Sequence, residues 1–169
     1  LAYMHNMKAT GAWERHHQAG KTNQVTGRFF EPRPSEEFYD NFKDFHNIDN
    51  RIADSNHQAK IKELKQELRR QQLKYFDSGL IPEEMRKRIT SEKKTTVYAF
   101  VRDPKLYPLA QYLDYADLAL SRKKKNLNTL TQGLLNSDPV TRYWSVIGLL
   151  LLEKQAKSAI PELKNVLKD

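Results

Sequence analysis

The side chains best equipped for chemistry in this sequence lie mostly in its first third. Arg15, His16, His17, Lys21 and Asn23 bring cations and hydrogen-bond donors into one short stretch. Such groups suit contact with sulfate, phosphate or carboxylate. The histidines do not read as a metal site. His16 and His17 are adjacent, so on a helix they point about 100° apart, and no His-Glu-x-x-His spacing occurs. Their plainer reading is as exposed or hydrogen-bonded side chains. The pair Glu36-Glu37 invites a general acid/base reading. On a strand, however, the two would face opposite sides, and edge-strand charge accounts for them better. Asp40, Asp44 and Asp49 lack the glycine and terminal glutamate of a calcium loop. The absence of cysteine excludes disulfides, thiolate metal sites and a cysteine nucleophile within this chain. No phosphate loop, dinucleotide fingerprint or Gly-x-Ser-x-Gly elbow is present.

A second group is aromatic. Phe29, Phe30, Phe38, Tyr39, Phe42 and Phe45 are dense enough for a sugar- or base-stacking platform. The reading preferred here is the core of a small sheet packed on a helix.

The chain around these residues is polar and basic. Its 169 residues carry a formal net charge of +8, with 38% hydrophobic and 30% charged side chains and only 6 glycines. That excludes a turn-rich all-β fold and suits helices with much exposed surface. Acidic residues are interspersed with most of the basic ones, so the charge reads first as solvated helix faces. The one clean basic cluster, Arg122-Lys123-Lys124-Lys125, reads as a linker between helices. The longest apolar run, Val146 to Leu152, falls short of the roughly 20 residues a membrane span needs. Leu1-Ala2-Tyr3 shows no basic or apolar leader, and the expectation is a processed chain or a fragment.

The fold class expected is mainly α with a small antiparallel β portion, followed by a helical hairpin repeat. Tyr3 to Met7, Val25 to Phe30 and Glu37 to Tyr39 are candidate strands, with Pro32 and Pro34 keeping the chain extended. Gly11 should break the first, and Trp13 to Ala19 should form a short helix stopped by Gly20. Residues 54–78 should form the clearest helix, capped by Asp54 or Ser55 and ended by a left-handed Gly79. Ile61, Leu64, Leu68 and Tyr75 share one face of it. Pro82-Glu83-Glu84 opens another helix. Thr95 to Arg102 is a short apolar segment, and Leu109 to Leu120 has amphipathic spacing. Leu127 to Leu135 and Val140 to Leu151 follow, joined by a turn with Asp138 as cap and Pro139 at the first helical position. Residues 159–169 restate the first of these helices after about 32 residues, a HEAT-like spacing. The expected division is 1–90, a subdomain of sheet and helix; 91–125, connecting helices and a basic linker; and 126–169, a repeat that looks truncated.

The stretch from Gly27 to Asp54 carries a resemblance. Phe29, Phe30, Pro32, Pro34, Glu36, Glu37, Phe38, Tyr39 and Asp40, then Asn50 and Ala53, resemble a segment near the C-terminus of bacterial sulfatases of the N-sulfoglucosamine sulfohydrolase-like branch. Tyr3-Met4-His5-Asn6 is similar to that family's Tyr-Ile-Arg-Asn strand. Trp13 to Asn23 is similar to its Trp-x-Arg and Ala-Gly-Lys-x-Asn segment, and Asp77 to Glu83 to the end of its last helix. Some members continue into HEAT-like repeats. Two departures occur: Asp44-Phe45-His46-Asn47 stands for an Asp-Pro-x-Glu turn, and Asp49 to Ala53 for Asn-Asn-Leu-Ala.

The resemblance implies the C-terminal portion of a hydrolase of sulfate esters or sulfamates, periplasmic or secreted, acting on a glycan. Sulfatases use an N-terminal Cys/Ser-x-Pro-x-Arg motif whose Cys or Ser becomes formylglycine, beside a calcium ion held by aspartates. This chain lacks that motif. Ser137-Asp138-Pro139-Val140-Thr141 comes near it, but Thr141 holds the Arg position, and a helix cap explains the segment. Formylglycine and calcium are therefore expected from an N-terminal catalytic domain of the same polypeptide. The sulfated glycan is the implied partner, and neither a membrane nor nucleic acid is expected. No catalytic residue and no metal ligand is assigned here. Arg15, His16, His17, Lys21 and Asn23 are the expected rim contacts. The other reading is a basic helical-repeat scaffold that binds protein or polyanion.

Overall fold

A computed structural model describes residues 7–167. It divides into two compact units, Leu1–Ile61 and Lys62–Asp169. The expected strand at Tyr3 to Met7 lies almost wholly outside the described residues. Where described, the chain is mainly helical, and no strand occurs among the described residues.

In the first unit, α1 (Lys8–Gln18) runs through Gly11 rather than breaking there. A single glycine inside a helix costs only about 1 kcal/mol relative to alanine. The helix stops at Gly20, which adopts φ +68°. Its N–H donates to the His17 carbonyl at 2.8 Å, and that of Lys21 to His16 at 3.1 Å. This is the glycine-dependent closure expected at a helix C-terminus. A short α2 (Gln24–Gly27) and a 3₁₀ turn (Arg28–Phe30) replace the expected strand at Val25 to Phe30. The cause is Asn23, whose side chain accepts the N–H groups of Val25 and Thr26 while the Thr26 hydroxyl accepts the Asn23 N–H. That reciprocal cap holds the backbone in a turn.

Glu37 to Tyr39 forms no strand. The Phe38 N–H donates to the Asn50 side chain at 3.0 Å, and the Phe38 carbonyl accepts from Arg51 N–H at 2.7 Å. Its polar groups are thus satisfied by one side chain and one backbone bond. The aromatic core expected here does not form either. Phe42 is 103% and Phe45 84% exposed, and Phe29 is half-exposed. Among the described residues of this unit only Gly27 and Ile61 are buried.

From Asp54 onward the chain follows the expectation more closely. Asp54 caps a 3₁₀ turn (Ser55–His57) at the end of the first unit, which leads into α3 (Gln58–Tyr75), a helix that runs on into the second. Phe76, not Gly79, takes the left-handed position at its end, with φ +55°. A bulky residue there needs support, and the Arg102 guanidinium lies 4.7 Å from its ring centroid. The stripe on α3 stays largely uncovered: Ile61 is buried, whereas Leu64, Leu68 and Tyr75 are exposed. Next come α4 (Glu83–Glu92), α5 (Val97–Phe100), α6 (Leu109–Leu120), α7 (Leu127–Gly133), α8 (Pro139–Leu152) and α9 (Ile160–Val166). α8 packs against both α6 and α7.

Two apolar clusters hold this unit. One includes Phe100, Tyr107, Tyr112, Leu113 and Val140, with Trp144 packed against it. The other includes Leu130, Leu134, Leu149 and Leu152. The buried polar tips are paired, as burial requires. Trp144 donates to the Leu80 carbonyl at 2.9 Å, Tyr107 to the Asp77 carbonyl, and Tyr112 to the Asp138 carboxylate at 2.9 Å. Burial first, then a nearby aspartate, raises both tyrosine hydroxyls well above the ordinary phenol range. Asp138 also caps α8 through Thr141 N–H at 2.7 Å. Arg142 donates to the carbonyls of Asn136 and Ser137. The Ser137–Thr141 segment is therefore engaged as the turn that opens α8. No helix among the described residues is long and apolar enough to cross a membrane.

Candidate functional site

The last turn of α1 carries Arg15, His16 and His17. Cations at this end complement the negative pole of the helix, which accounts for part of the cluster without a ligand. Arg15, His16 and Lys21 are exposed.

His17 is turned to a different task. Its ring stacks on Phe30 at 4.7 Å, its Nδ1 lies 2.9 Å from the Thr22 hydroxyl, and its Nε2 lies 3.7 Å from Glu31. Trp13 stacks on Phe29 at 4.9 Å, meets Phe30 edge-on at 5.0 Å, and donates to the Thr26 carbonyl at 2.8 Å. Gly27 permits this closeness. A Cβ there would lie 2.9 Å from the Thr22 hydroxyl and 3.3 Å from the His17 ring. Asn23 is engaged as the cap of α2. Of the five expected contacts, then, three present exposed side chains and two position the local fold.

A second cluster follows immediately. The chain from Arg28 to Asn50 folds back on itself around Pro32 and Pro34, and Arg28 gathers its parts. The Arg28 guanidinium donates to the Asn47 carbonyl and the Tyr39 hydroxyl, and lies 3.8 Å from Glu37. Arg33 donates to the same Glu37 carboxylate at 2.7 Å. Two guanidiniums thus flank one carboxylate that is only one-fifth exposed. Glu37 is held in this ion cluster while Glu36 is exposed, so the two do not form an acid/base pair.

Two small cavities open here, of about 260 and 290 Å³. Both are lined by Arg28, Arg33 and Glu37. The larger adds Phe29, Tyr39, His46 and Asn47. Asn47 sits at φ +52°, and its carbonyl is the one that accepts from Arg28. Beneath this loop Asp44 accepts the Asp49 N–H at 2.7 Å. Backbone N–H groups of Ile48 and Asp49 hold the Asp44 carboxyl below its ordinary value, with smaller help from Arg28 and His46.

Arg28 and Arg33 were not among the expected site residues. The signal available was their spacing with Glu37 across two prolines, which brings the three side chains back to one place. Among the described residues no group of three or more His, Asp or Glu side chains is placed to hold a metal ion.

Comparison with protein-family models, with curated proteins and with solved structures returned no match.

Proposed function

We propose that this chain is the C-terminal portion of a sulfatase-like hydrolase of sulfate esters or sulfamates on a glycan, and that it does not catalyse by itself. The observation that carries the reading is the coreless state of the motif-bearing unit. The Gly27 to Asp54 stretch carries the main resemblance to sulfatases, yet the described residues of that unit bury only Gly27 and Ile61. Exposed phenylalanines at 29, 42 and 45 make apolar surface that gains stability when covered. The proposed cover is the N-terminal catalytic domain of the same polypeptide. That domain would bring the formylglycine and calcium. The backbone near Pro32 to Asp40, which forms no helix, would supply the β portion of the joint by pairing with one of its strands. Arg15, His16 and Lys21 then stand at the rim as contacts for anionic substrate, positioned by His17 and Asn23.

The test is to isolate the native polypeptide with an antibody against this chain, sequence it, and assay sulfate release. A longer polypeptide with a Cys/Ser-x-Pro-x-Arg motif converted to formylglycine is the expected result, with the 169-residue chain alone inactive. A native polypeptide without that motif, or sulfate release by the isolated chain, overturns the reading. The scaffold reading draws less support from the surface. The exposed Lys123 and Lys125 share a shallow cavity with Asp114 and Asp117, which weakens them as a polyanion site.

A further inference from the structure

We propose that a groove between the end of α3 and the start of α6 binds a small carboxylic acid with an apolar body, its carboxylate on Arg102. The site lies wholly within the second unit and is independent of the sulfatase reading.

The lining selects the body of the ligand. The groove holds about 590 Å³, inside the roughly 300–1,000 Å³ of small-molecule sites. Leu73 and Phe76 come to it from α3 and the turn after it, and Val101, Pro104 and Leu109 from the segment that leads into α6. Leu73 is 40% and Phe76 37% exposed, so apolar surface on this side gains stability when covered. Two further side chains on the lining carry polar groups, and both are committed elsewhere. The Tyr107 hydroxyl donates to the Asp77 carbonyl, and the Gln111 amide donates to the Thr141 hydroxyl at 3.2 Å. What the lining offers is therefore mostly carbon.

Charge selects the head. Arg102 is the one charged residue on the lining. Its Nη1 donates to the Tyr98 carbonyl at 3.1 Å, and its guanidinium carbon lies 4.7 Å from the Phe76 ring centroid and 3.6 Å from that of Tyr98. Among the described residues no carboxylate pairs with it, and its Nε and Nη2 edge has no acceptor. The neighbouring acids are turned to other work. Asp103 accepts the Lys105 N–H at 2.9 Å, and Asp77 accepts the Gly79 N–H at 2.8 Å and the Gln72 amide at 3.0 Å. The open edge of the guanidinium matches a carboxylate with two parallel hydrogen bonds. The two rings and the Tyr98 carbonyl already restrict the side chain, so little freedom is lost when a ligand arrives. One such fork, with no second cation on the lining, suits a single carboxylate better than a dianion such as phosphate.

The experiment titrates the isotope-labelled 169-residue chain with octanoate, octanol and acetate and follows the amide resonances. Octanoate should shift the amides of Val101, Arg102, Ala110 and Gln111 to saturation and leave those of Leu130 and Leu134 in place. Octanol should bind at least tenfold more weakly, and acetate should not saturate. Arg102→Gln should weaken octanoate tenfold or more and bring it level with octanol, whereas Lys154→Gln should leave both within twofold. Because Arg102 also supports Phe76, Ala110→Leu is the second probe. Ala110 lines the groove and is exposed, so a leucine there leaves the fold intact and takes up ligand space. It should weaken octanoate and octanol alike, about fivefold or more, with the rest of the spectrum unchanged. Equal affinity for octanol and octanoate in the unaltered chain, no saturable shift, or undiminished binding by Ala110→Leu overturns the site. Movement of the same amides on dilution without ligand would give the groove to a second copy of the chain, and would overturn it too.

Discussion

Between Lys62 and Leu167 large aromatic side chains are buried, with Phe100 at 1% and Tyr112 at 2% exposure; between Met7 and Ile61, Phe42 and Phe45 stand in solvent. The same residue type thus does two jobs in one chain. In the second unit, apolar burial supplies the main driving force, and buried hydroxyl and indole groups find partners. In the first unit, caps, ring stacks and one ion cluster fix the local shape. Each of those contributes about 1 kcal/mol or less on an exposed surface. The difference teaches that a well-defined loop conformation and a stable domain are separate achievements. It also gives the sulfatase reading its physical content: the described residues of the first unit have shape without a core.

Mutations sharpen the contrast. Leu130→Ala removes a side chain only 1% exposed and should lower stability by about 2–5 kcal/mol. Phe42→Ala and Phe45→Ala should change it by less than about 0.5 kcal/mol. Urea unfolding followed by far-ultraviolet circular dichroism measures all three. A large loss from either phenylalanine would mean that the first unit has a core of its own.

A somewhat smaller effect is expected at Gly133. A Cβ there would lie 2.1 Å from the Ser145 hydroxyl and 2.9 Å from the Tyr115 ring. Ser145 is fully buried and donates to the Thr141 carbonyl at 2.8 Å, so it has little room to yield. Gly133→Ala should cost about 1–3 kcal/mol by overpacking. The same denaturation curve measures it, and a neutral outcome would show that α7 and α8 fit more loosely than described.

The smallest expected effect belongs to the first unit. Backbone N–H groups lower the Asp44 carboxyl from its ordinary 3.8, so the folded loop binds a proton more weakly than the unfolded chain does. Its stabilisation is complete above that ordinary value and is lost as pH falls through the lowered one. The Asp49 amide resonance should therefore shift with a midpoint below 3.8, and Asp44→Asn should abolish the shift. A midpoint at or above 3.8 would contradict the hydrogen bonding described.

What the sequence made legible follows the same division. The helix Leu109 to Leu120 and the turn at Asp138-Pro139 carry signals within a few residues of each other, namely periodic apolar positions, a cap and a first-turn proline. Local signals of that kind survive packing. The strand expected at Val25 to Phe30 lost to the Asn23–Thr26 cap, a competing local bond with equal claim on the same backbone. Gly79 looked like the left-handed end of α3, but the contact that supports Phe76 comes from Arg102, far along the chain. At the site, the run from Arg15 to Asn23 was visible by composition. That His17 would turn onto Phe30 was not, because ring stacking across a turn leaves no period. The cluster of Arg28, Arg33 and Glu37 is marked only by spacing across Pro32 and Pro34, with no period to single it out.

The most direct test of the account is hydrogen exchange on the 169-residue chain and on the proposed longer polypeptide that carries the catalytic domain. The account predicts strong protection of α6 and α8 in both. Amides from Gln24 to Ile61 should exchange fast in the short chain and slowly in the long one. Protection of Gln24 to Ile61 equal to that of α8 in the short chain would contradict it, because the first unit would then need no partner.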